Sequence, residues 1–150
     1  MNPTIHGTCI AIADKGVLIR GPSGSGKSML ALRLILDAPR ALPPAELVAD
    51  DRVLLEPDPG DPGSLVARPP ERLAGLIEAR GLGLRRLGFR PAVRLALVLD
   101  LAAPDAERLP EPQARFVVIA GCRLARIAPL TGADAALLIA AALMSDDYEN

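Results

Sequence analysis

Gly21-Pro22-Ser23-Gly24-Ser25-Gly26-Lys27-Ser28 is the stretch that decides the fold class. It satisfies G-x-x-x-x-G-K-[ST], and its surroundings fit as well as its letters. A short apolar run, 16–20, enters the loop. A helical stretch starting near Lys27 and carrying Met29, Leu30, Leu32, Leu34, Ile35 and Leu36 leaves it, until Pro39 stops it. Each position has a physical task. Glycines let the backbone turn on itself so that successive N–H groups point inward and form an anion nest. The start of the helix adds unpaired donors and partial positive charge. Lys27 is a compact cation for the β- and γ-phosphates, and the Ser28 hydroxyl is placed to ligate Mg²⁺. Gly21, Pro22, Ser23, Gly24, Ser25, Gly26, Lys27 and Ser28 are therefore the expected nucleotide-binding residues. The loop specifies phosphate binding without specifying the reaction.

Outward from the loop, the chain reads as short strands with two clear helices. Ile10–Ala13 and Val17–Ile19 flank Asp14-Lys15-Gly16, a predicted hairpin. Leu47-Val48-Ala49 reads as a strand ending in Asp50-Asp51, and Val53-Leu54-Leu55 as another. Pro57, Pro59, Gly60, Pro62 and Gly63 predict a mobile surface loop, after which Leu65-Val66-Ala67 resumes as a strand. Residues 71–83 fit neither period. Val93–Leu101 is a nearly continuous apolar run, the pattern of a strand buried on both faces. Phe116–Ala120 and Cys122–Ala128 pair around Gly121, and Gly132 opens a last helix, Ala133–Met144, before an acidic tail at about 146–150. The pattern predicts a single α/β domain over residues 1–150, a P-loop kinase-like mixed β-sheet flanked by helices.

Composition removes several function classes. The 150 residues suit one domain. Lys and Arg number 17 against 18 Asp and Glu, a balance unlike that of proteins that displace counterions from polyanions. Aromatics are only 2%, so base-stacking platforms are not expected, and no nucleic-acid partner is predicted. Cys9 and Cys122 lie in apolar runs and read as buried free thiols suited to a reducing compartment. The start, MNPTIHG, lacks the basic and apolar regions of a signal peptide. The longest apolar segments fall short of the roughly 20 residues a membrane span needs. A cytoplasmic protein without a membrane partner is expected.

Two strand ends offer a carboxylate to the phosphate site. Asp100 closes Leu95-Ala96-Leu97-Val98-Leu99, the better match to a generic Walker B strand, whereas Asp50-Asp51 closes a weaker one 22 residues beyond Ser28. Two adjacent acids repel unless a cation or partner compensates them. In a strand their side chains point to opposite faces, so at most one is expected to face the phosphates.

His6-Gly7, the loop at 21–28, Val48-Ala49-Asp50-Asp51-Arg52-Val53 and Ile77-Glu78-Ala79-Arg80-Gly81-Leu82-Gly83 occur in an order and near-spacing that resemble the HPr serine kinase/phosphorylase family. The resemblance runs from about His6 to the final helix and covers that family's catalytic domain, in a short form without the usual N-terminal domain. It implies an ATP- and Mg²⁺-dependent protein serine kinase acting on an HPr-type phosphocarrier, assembled as a homo-oligomer, a hexamer by family resemblance. Under it Asp51 matches the general base on the substrate serine, and His6 the active-site histidine that orients or tunes it. Glu78 matches the Mg²⁺ ligand that works with Ser28, with Asp50 beside them, and Arg80 matches a group that neutralises phosphoryl charge. Glu107-Arg108-Leu109 resembles the family's D-R-L-G stretch and makes Arg108 a candidate catalytic arginine, with Pro110 in place of Gly.

Two departures bear on the activity. Pro129-Leu130-Thr131-Gly132-Ala133-Asp134 is shorter than the family's dephosphorylation segment and has lost its basic residue, so kinase activity is expected more firmly than phosphorolysis. Met29 stands where members commonly carry an acid. Two rivals follow: a nucleotide-sensing module that keeps the loop without catalysis, and a small-molecule kinase using Asp100. The arginines at 80, 85, 86, 90 and 94 read either as a solvated face or as a dock for anionic groups.

Overall fold

Packing of the apolar runs against one another generates a mixed sheet, seen in a computed structural model that describes residues 4–148. Glu149 and Asn150 of the expected acidic tail, and Met1, Asn2 and Pro3 of the start, lie outside the described residues. In chain order the elements are β1 (Thr4–His6), β2 (Thr8–Ile12), β3 (Lys15–Arg20), α1 (Lys27–Leu36), β4 (Glu46–Ala49), β5 (Arg52–Asp58) and β6 (Asp61–Arg68). They continue as β7 (Leu76–Ala79), β8 (Gly83–Arg86), β9 (Val93–Asp100), β10 (Phe116–Ile119), β11 (Cys122–Ile127) and α2 (Ala135–Met144). Short 3₁₀ turns lie at Glu71–Leu73 and Pro112–Arg115.

Nine of these strands form one sheet in the order β1-β5-β6-β9-β3-β2-β4, with β11 beside β9 and β10 beside β11. β9 runs parallel to β3 and β11 and, near its start, antiparallel to β6. The β7–β8 hairpin stands apart as a two-stranded sheet. Because β2 is antiparallel to both β3 and β4, the start of β2 and the ends of β3 and β4 share one rim of the sheet. That rim carries the phosphate loop.

Alternation along the strands divides the core. Ile10, Ile12, Val17, Ile19, Leu97 and Leu99 point toward α1 and α2, meeting Ala31, Leu34, Ala136, Ile139 and Ala140. Cys9, Ala11, Leu18 and Val98 point the other way, onto Val53, Leu55, Leu65 and Ala67 of β5 and β6. Both helices therefore cover one face, and the curled sheet covers its own second face. This leaves β2 buried at every position. Cys9 and Cys122 are buried and free, as expected, and burial pushes the Cys9 thiol well above its ordinary range.

The expected hairpin forms, but its turn is Ala13-Asp14, with Ile12 paired to Lys15 and Ala13 at φ 55°. Gly16 instead lies within β3, where a Cβ would come within 2.7 Å of Val93 and 2.8 Å of the Arg94 carbonyl oxygen. The last helix begins two residues later than its alanines suggest, because Asp134 caps it by accepting from the Leu137 amide (3.1 Å). Residues 57–63 are not a mobile loop. They are the hairpin end of β5 and β6, with Pro57 opposite Leu65 and Asp58 opposite Asp61. Proline is tolerated there because β1 reaches only to Leu54 of β5, and β9 meets β6 only at Val66 and Ala67.

Leu34 is fully buried under α1 while Leu36 of the same helix is 75% exposed. Leu34→Ala should lower the unfolding free energy by about 2–5 kcal/mol. Leu36→Ala should change it by no more than about 0.5 kcal/mol. Urea denaturation followed by circular dichroism measures both.

Candidate functional site

Along the sheet rim, Gly24 and Gly26 take φ of 82° and 97°, the left-handed turns that an anion nest requires. Gly26 is also the N-cap of α1, and its carbonyl accepts from the Leu30 amide. Lys27 opens the helix with its side chain folded back, Nζ donating to the Gly21 and Pro22 carbonyls at 2.9 and 3.0 Å. The ammonium is thus held over its own loop by neutral acceptors, which a phosphate oxygen can outcompete by charge.

Asp50 lies beneath this loop, 6% exposed. Its Oδ1 accepts from Ser28 Oγ (2.7 Å) and Thr8 Oγ1 (2.8 Å), and its Oδ2 accepts from the Glu78 backbone amide (3.0 Å). One carboxylate thereby joins α1, β2, the end of β4 and β7. Thr8, a polar residue leading an apolar strand, is a site residue that the sequence reading missed. Its place beside His6-Gly7 was the available signal.

Asp51 departs from the expectation that neighbouring acids would face opposite ways. Its φ is 71°, and the Arg52 amide donates to the Asp50 carbonyl at 2.8 Å, so Asp51 is the centre of a three-residue γ-turn of the strained, positive-φ kind. Strand alternation ends there, and Asp50 and Asp51 both line the same cleft. The turn is held against the β1–β2 corner by the Gly7 amide, which donates to the Asp51 carbonyl (3.1 Å). A Cβ at Gly7 would come within 2.9 Å of the Ile19 carbonyl oxygen, so the corner closes tightly only with glycine. His6, on that corner, places Nε2 3.6 Å from Asp51 Oδ1, and both side chains are substantially exposed.

The β7–β8 hairpin closes the third wall. Glu78 and Arg80 are exposed and line the cleft, and a side chain at Gly24 would come within 3.8 Å of Arg80 Nη2. The resulting cavity, about 260 Å³, is lined by Ser23, Gly24, Gly26, Lys27, Ser28 and Met29 from the loop side. His6, Thr8, Asp50, Asp51, Glu78 and Arg80 face them. Three cationic or protonatable groups and three carboxylates thus share one hollow.

Arg108 is not brought there: it is exposed on the segment after β9 and does not line the cleft. Nor is Asp100. Arg20 donates to it through Nε (2.7 Å) and Nη2 (2.9 Å), and Arg126 through Nε (2.6 Å). Arg126 also grips Asp105 with two bonds of 2.9 Å. Burial alone would raise the Asp100 pKa, but hydrogen bonds from Arg20 and Arg126 outweigh it and hold the carboxyl below its ordinary range. The strand-end acid that served as the generic Walker B candidate is a structural clamp across β3, β9 and β11. Of the other arginines, Arg90 pairs with Glu46 and Arg94 with Asp58, whereas Arg85 and Arg86 are exposed on β8.

A hydroxyl and carboxylates are hard oxygen ligands of the kind Mg²⁺ takes. Among the described residues no three His, Cys, Asp or Glu side chains cluster as a metal cage. Mg²⁺ is commonly held by one or two protein oxygens, with water and substrate phosphates completing its shell. Ser28 spends its proton on Asp50 and keeps its lone pairs, and the Glu78 carboxylate stands exposed at the rim, so the residues fit such an ion.

Comparison with known proteins agrees with this arrangement. A family model described as the HPr serine kinase C-terminal domain matches residues 1–145. The chain is similar to the HPr kinase/phosphorylase of Bordetella pertussis, 39% identical over 118 residues, which is 71% of this chain and 36% of the relative. It is 38% identical over 112 residues to that of Halalkalibacterium halodurans, covering 70% of this chain and 34% of the relative. The chain thus spans about a third of the length of the curated relatives it matches. The solved structure of the Hpr(Ser) kinase/phosphatase from Coxiella burnetii superposes with a TM-score of 0.74 at 26% identity, over 95% of this chain and 88% of that one.

Asp100→Asn leaves the partly exposed Arg20 without its charge partner while Arg126 keeps Asp105, and should cost about 1–3 kcal/mol at neutral pH. Because the folded pKa of Asp100 is depressed, its stabilisation is fully present above the unfolded value of about 3.9 and is lost as pH falls through the folded value. Unfolding titrations from pH 5 downward should show a smaller loss of stability in the variant than in the parent.

Proposed function

Because the chain belongs to the HPr serine kinase C-terminal domain family, we propose that it is an ATP- and Mg²⁺-dependent protein serine kinase whose substrate is an HPr-type phosphocarrier protein. The observation that carries this reading is the pair of acids on one cleft: Asp50 bonded to the phosphate-loop serine, and Asp51 free of the sheet and turned toward the hollow.

The division of labour follows from the geometry. The loop amides and Lys27 bind the donor phosphates. Asp50 orients the Ser28 hydroxyl, and Mg²⁺ held through Ser28 and Glu78 would offset charge on the phosphate oxygens. A serine hydroxyl is a weak nucleophile and needs a proton acceptor as its oxygen bonds to the γ-phosphorus. Asp51 takes that proton while the bond to the β-phosphate oxygen breaks and ADP leaves. His6, 3.6 Å from Asp51, fixes where the carboxylate points. Arg80 leans over the loop, where negative charge is transferred. Catalysis then rests on positioning and charge compensation.

The small-molecule kinase reading loses its expected metal acid, since both oxygens of Asp100 are engaged by arginines. We further assign the chain to a homo-oligomer and to the cytoplasm. No helix among the described residues is long and apolar enough to cross a membrane. The loss of the basic residue at 129–134 favours the kinase direction over phosphorolysis.

Incubation with Mg-ATP and a purified HPr-type carrier should add one phosphate to a carrier serine, read by intact mass. No gain across several such carriers overturns the assignment. Asp51→Asn should lower the transfer rate about 10²–10⁴-fold with nucleotide affinity unchanged. Asp51→Gly should abolish transfer yet raise stability by about 1 kcal/mol, because glycine adopts the positive φ without strain.

A further inference from the structure

The buried polar and charged side chains among the described residues are Thr8, Lys27, Asp50 and Asp100. Lys27 and Asp50 belong to the phosphate site, and Asp100 to the arginine clamp. Thr8 heads the wholly buried, otherwise apolar strand β2 and has no part in the division of labour among Lys27, Ser28, Asp50 and Asp51. A hydroxyl is costly to bury without a partner, so a threonine at 0% exposure is held there by what it bonds.

The sheet brings that partner to it. Cys9 lies opposite Ala49 across the antiparallel pair β2 and β4, so the next residues outward, Thr8 and Asp50, meet at the rim. Alternation puts Thr8 on the same face of β2 as Ile10 and Ile12, the face covered by α1. Ser28 stands in the first turn of α1. Thr8 Oγ1 and Ser28 Oγ therefore both donate to one oxygen, Asp50 Oδ1, at 2.8 and 2.7 Å. The Glu78 amide donates to Oδ2 at 3.0 Å.

The donors at Thr8 and Glu78 come from strands, and a β-branched side chain such as Thr8 is stiff at χ1. Rotating the Asp50 carboxylate would break both bonds, so Oδ1 stays beneath the loop instead of swinging into the cleft. The Ser28 proton is drawn down onto that fixed oxygen, which leaves the serine lone pairs for the cleft that Ser28 lines. We propose that Thr8 is a positioning residue for phosphoryl transfer: through Asp50 it fixes the direction of the Ser28 hydroxyl and with it the grip on a magnesium–nucleotide complex. The inference rests on the kinase reading above and adds a residue to which that reading gives no role. Removing such an outer partner typically lowers metal affinity or activity about 10–100-fold.

Isothermal titration calorimetry of the full chain with ATP, in Mg²⁺ and in excess EDTA, reads the effect apart from turnover. Thr8→Val exchanges the hydroxyl for a methyl group. It should reduce the Mg²⁺-dependent gain in ATP affinity about tenfold or more and leave the affinity in EDTA unchanged, which also shows that the variant is folded. Thr8→Ser keeps the hydroxyl and should keep the parental gain, whereas Thr8→Ala should lose it. The serine and alanine variants thus decide the matter even if the valine variant does not fold. Turnover of an HPr-type carrier should follow the same order in kcat, with the KM for the carrier unchanged. A parental Mg²⁺ gain in the valine and alanine variants, or a serine variant as impaired as alanine, overturns the role of Thr8 and leaves the kinase reading intact. A parent that binds no ATP overturns the kinase reading itself, before any substitution is compared.

Discussion

Ser28, Thr8 and the Glu78 amide converge on Asp50, and the rest of the site is arranged around that carboxylate. A buried charge is costly unless donors surround it, and here three of them come from three different segments. Each segment carries its own functional neighbour. Ser28 brings the phosphate loop, Thr8 brings the corner with His6, and Glu78 brings the hairpin with Arg80. Hydrogen bonds to charged groups contribute about 1.5–3 kcal/mol each, and losing the acceptor would leave three polar groups unsatisfied at once. Asp50 is thus both a structural hub and the acid that sets the direction of the Ser28 hydroxyl.

The sheet has a second strand-end acid, and it is used in the opposite sense. Asp100 sits on the parallel neighbour of the loop strand, where a metal-directed acid would be anticipated. Two arginines saturate it, and one of them extends the chain of charge to Asp105. The clamp ties the carboxyl ends of β3, β9 and β11 together just where the phosphate loop departs.

Between these poles, two tight corners create the reactive edge. The β1–β2 corner at Gly7 and the β4–β5 turn at Asp51 are bonded to one another, amide to carbonyl. Both carry the chain from one half of the curled sheet to the other, and both turn a side chain outward. Strain at a non-glycine residue with positive φ is kept where the surroundings over-determine it, and this one lies on the cleft. The distortion that costs stability is what lets two successive acids line one hollow.

How much of this was legible varied with the range of the forces involved. The phosphate loop, its flanking strand and helix, the twice-buried β9 and the β10–β11 pair were readable, because local propensity and apolar period specify them. Residues 57–63 were misread because proline and glycine density signals a loop. Only the pairing scheme reveals that Pro57 and Pro62 face positions where no partner strand needs their N–H. The β7 strand that carries Glu78, with Arg80 in the turn after it, was unreadable by period, since its partner β8 is wholly exposed.

The sequence by itself determined that residues 21–28 form a phosphate-loop motif between a strand and a helix and, through the family's motifs, that His6, Asp51, Glu78 and Arg80 belong together. Such motifs are short-range patterns whose chemistry depends on residue type and spacing. Tertiary structure alone decided which surroundings each acid receives. Asp50, Asp51 and Asp100 look alike as strand-end aspartates, and the difference lies in partners from distant segments: a serine and a threonine, a left-handed turn, and two arginines. Charge partners reach each acid across the sheet rather than along the chain, so only the folded packing could sort them.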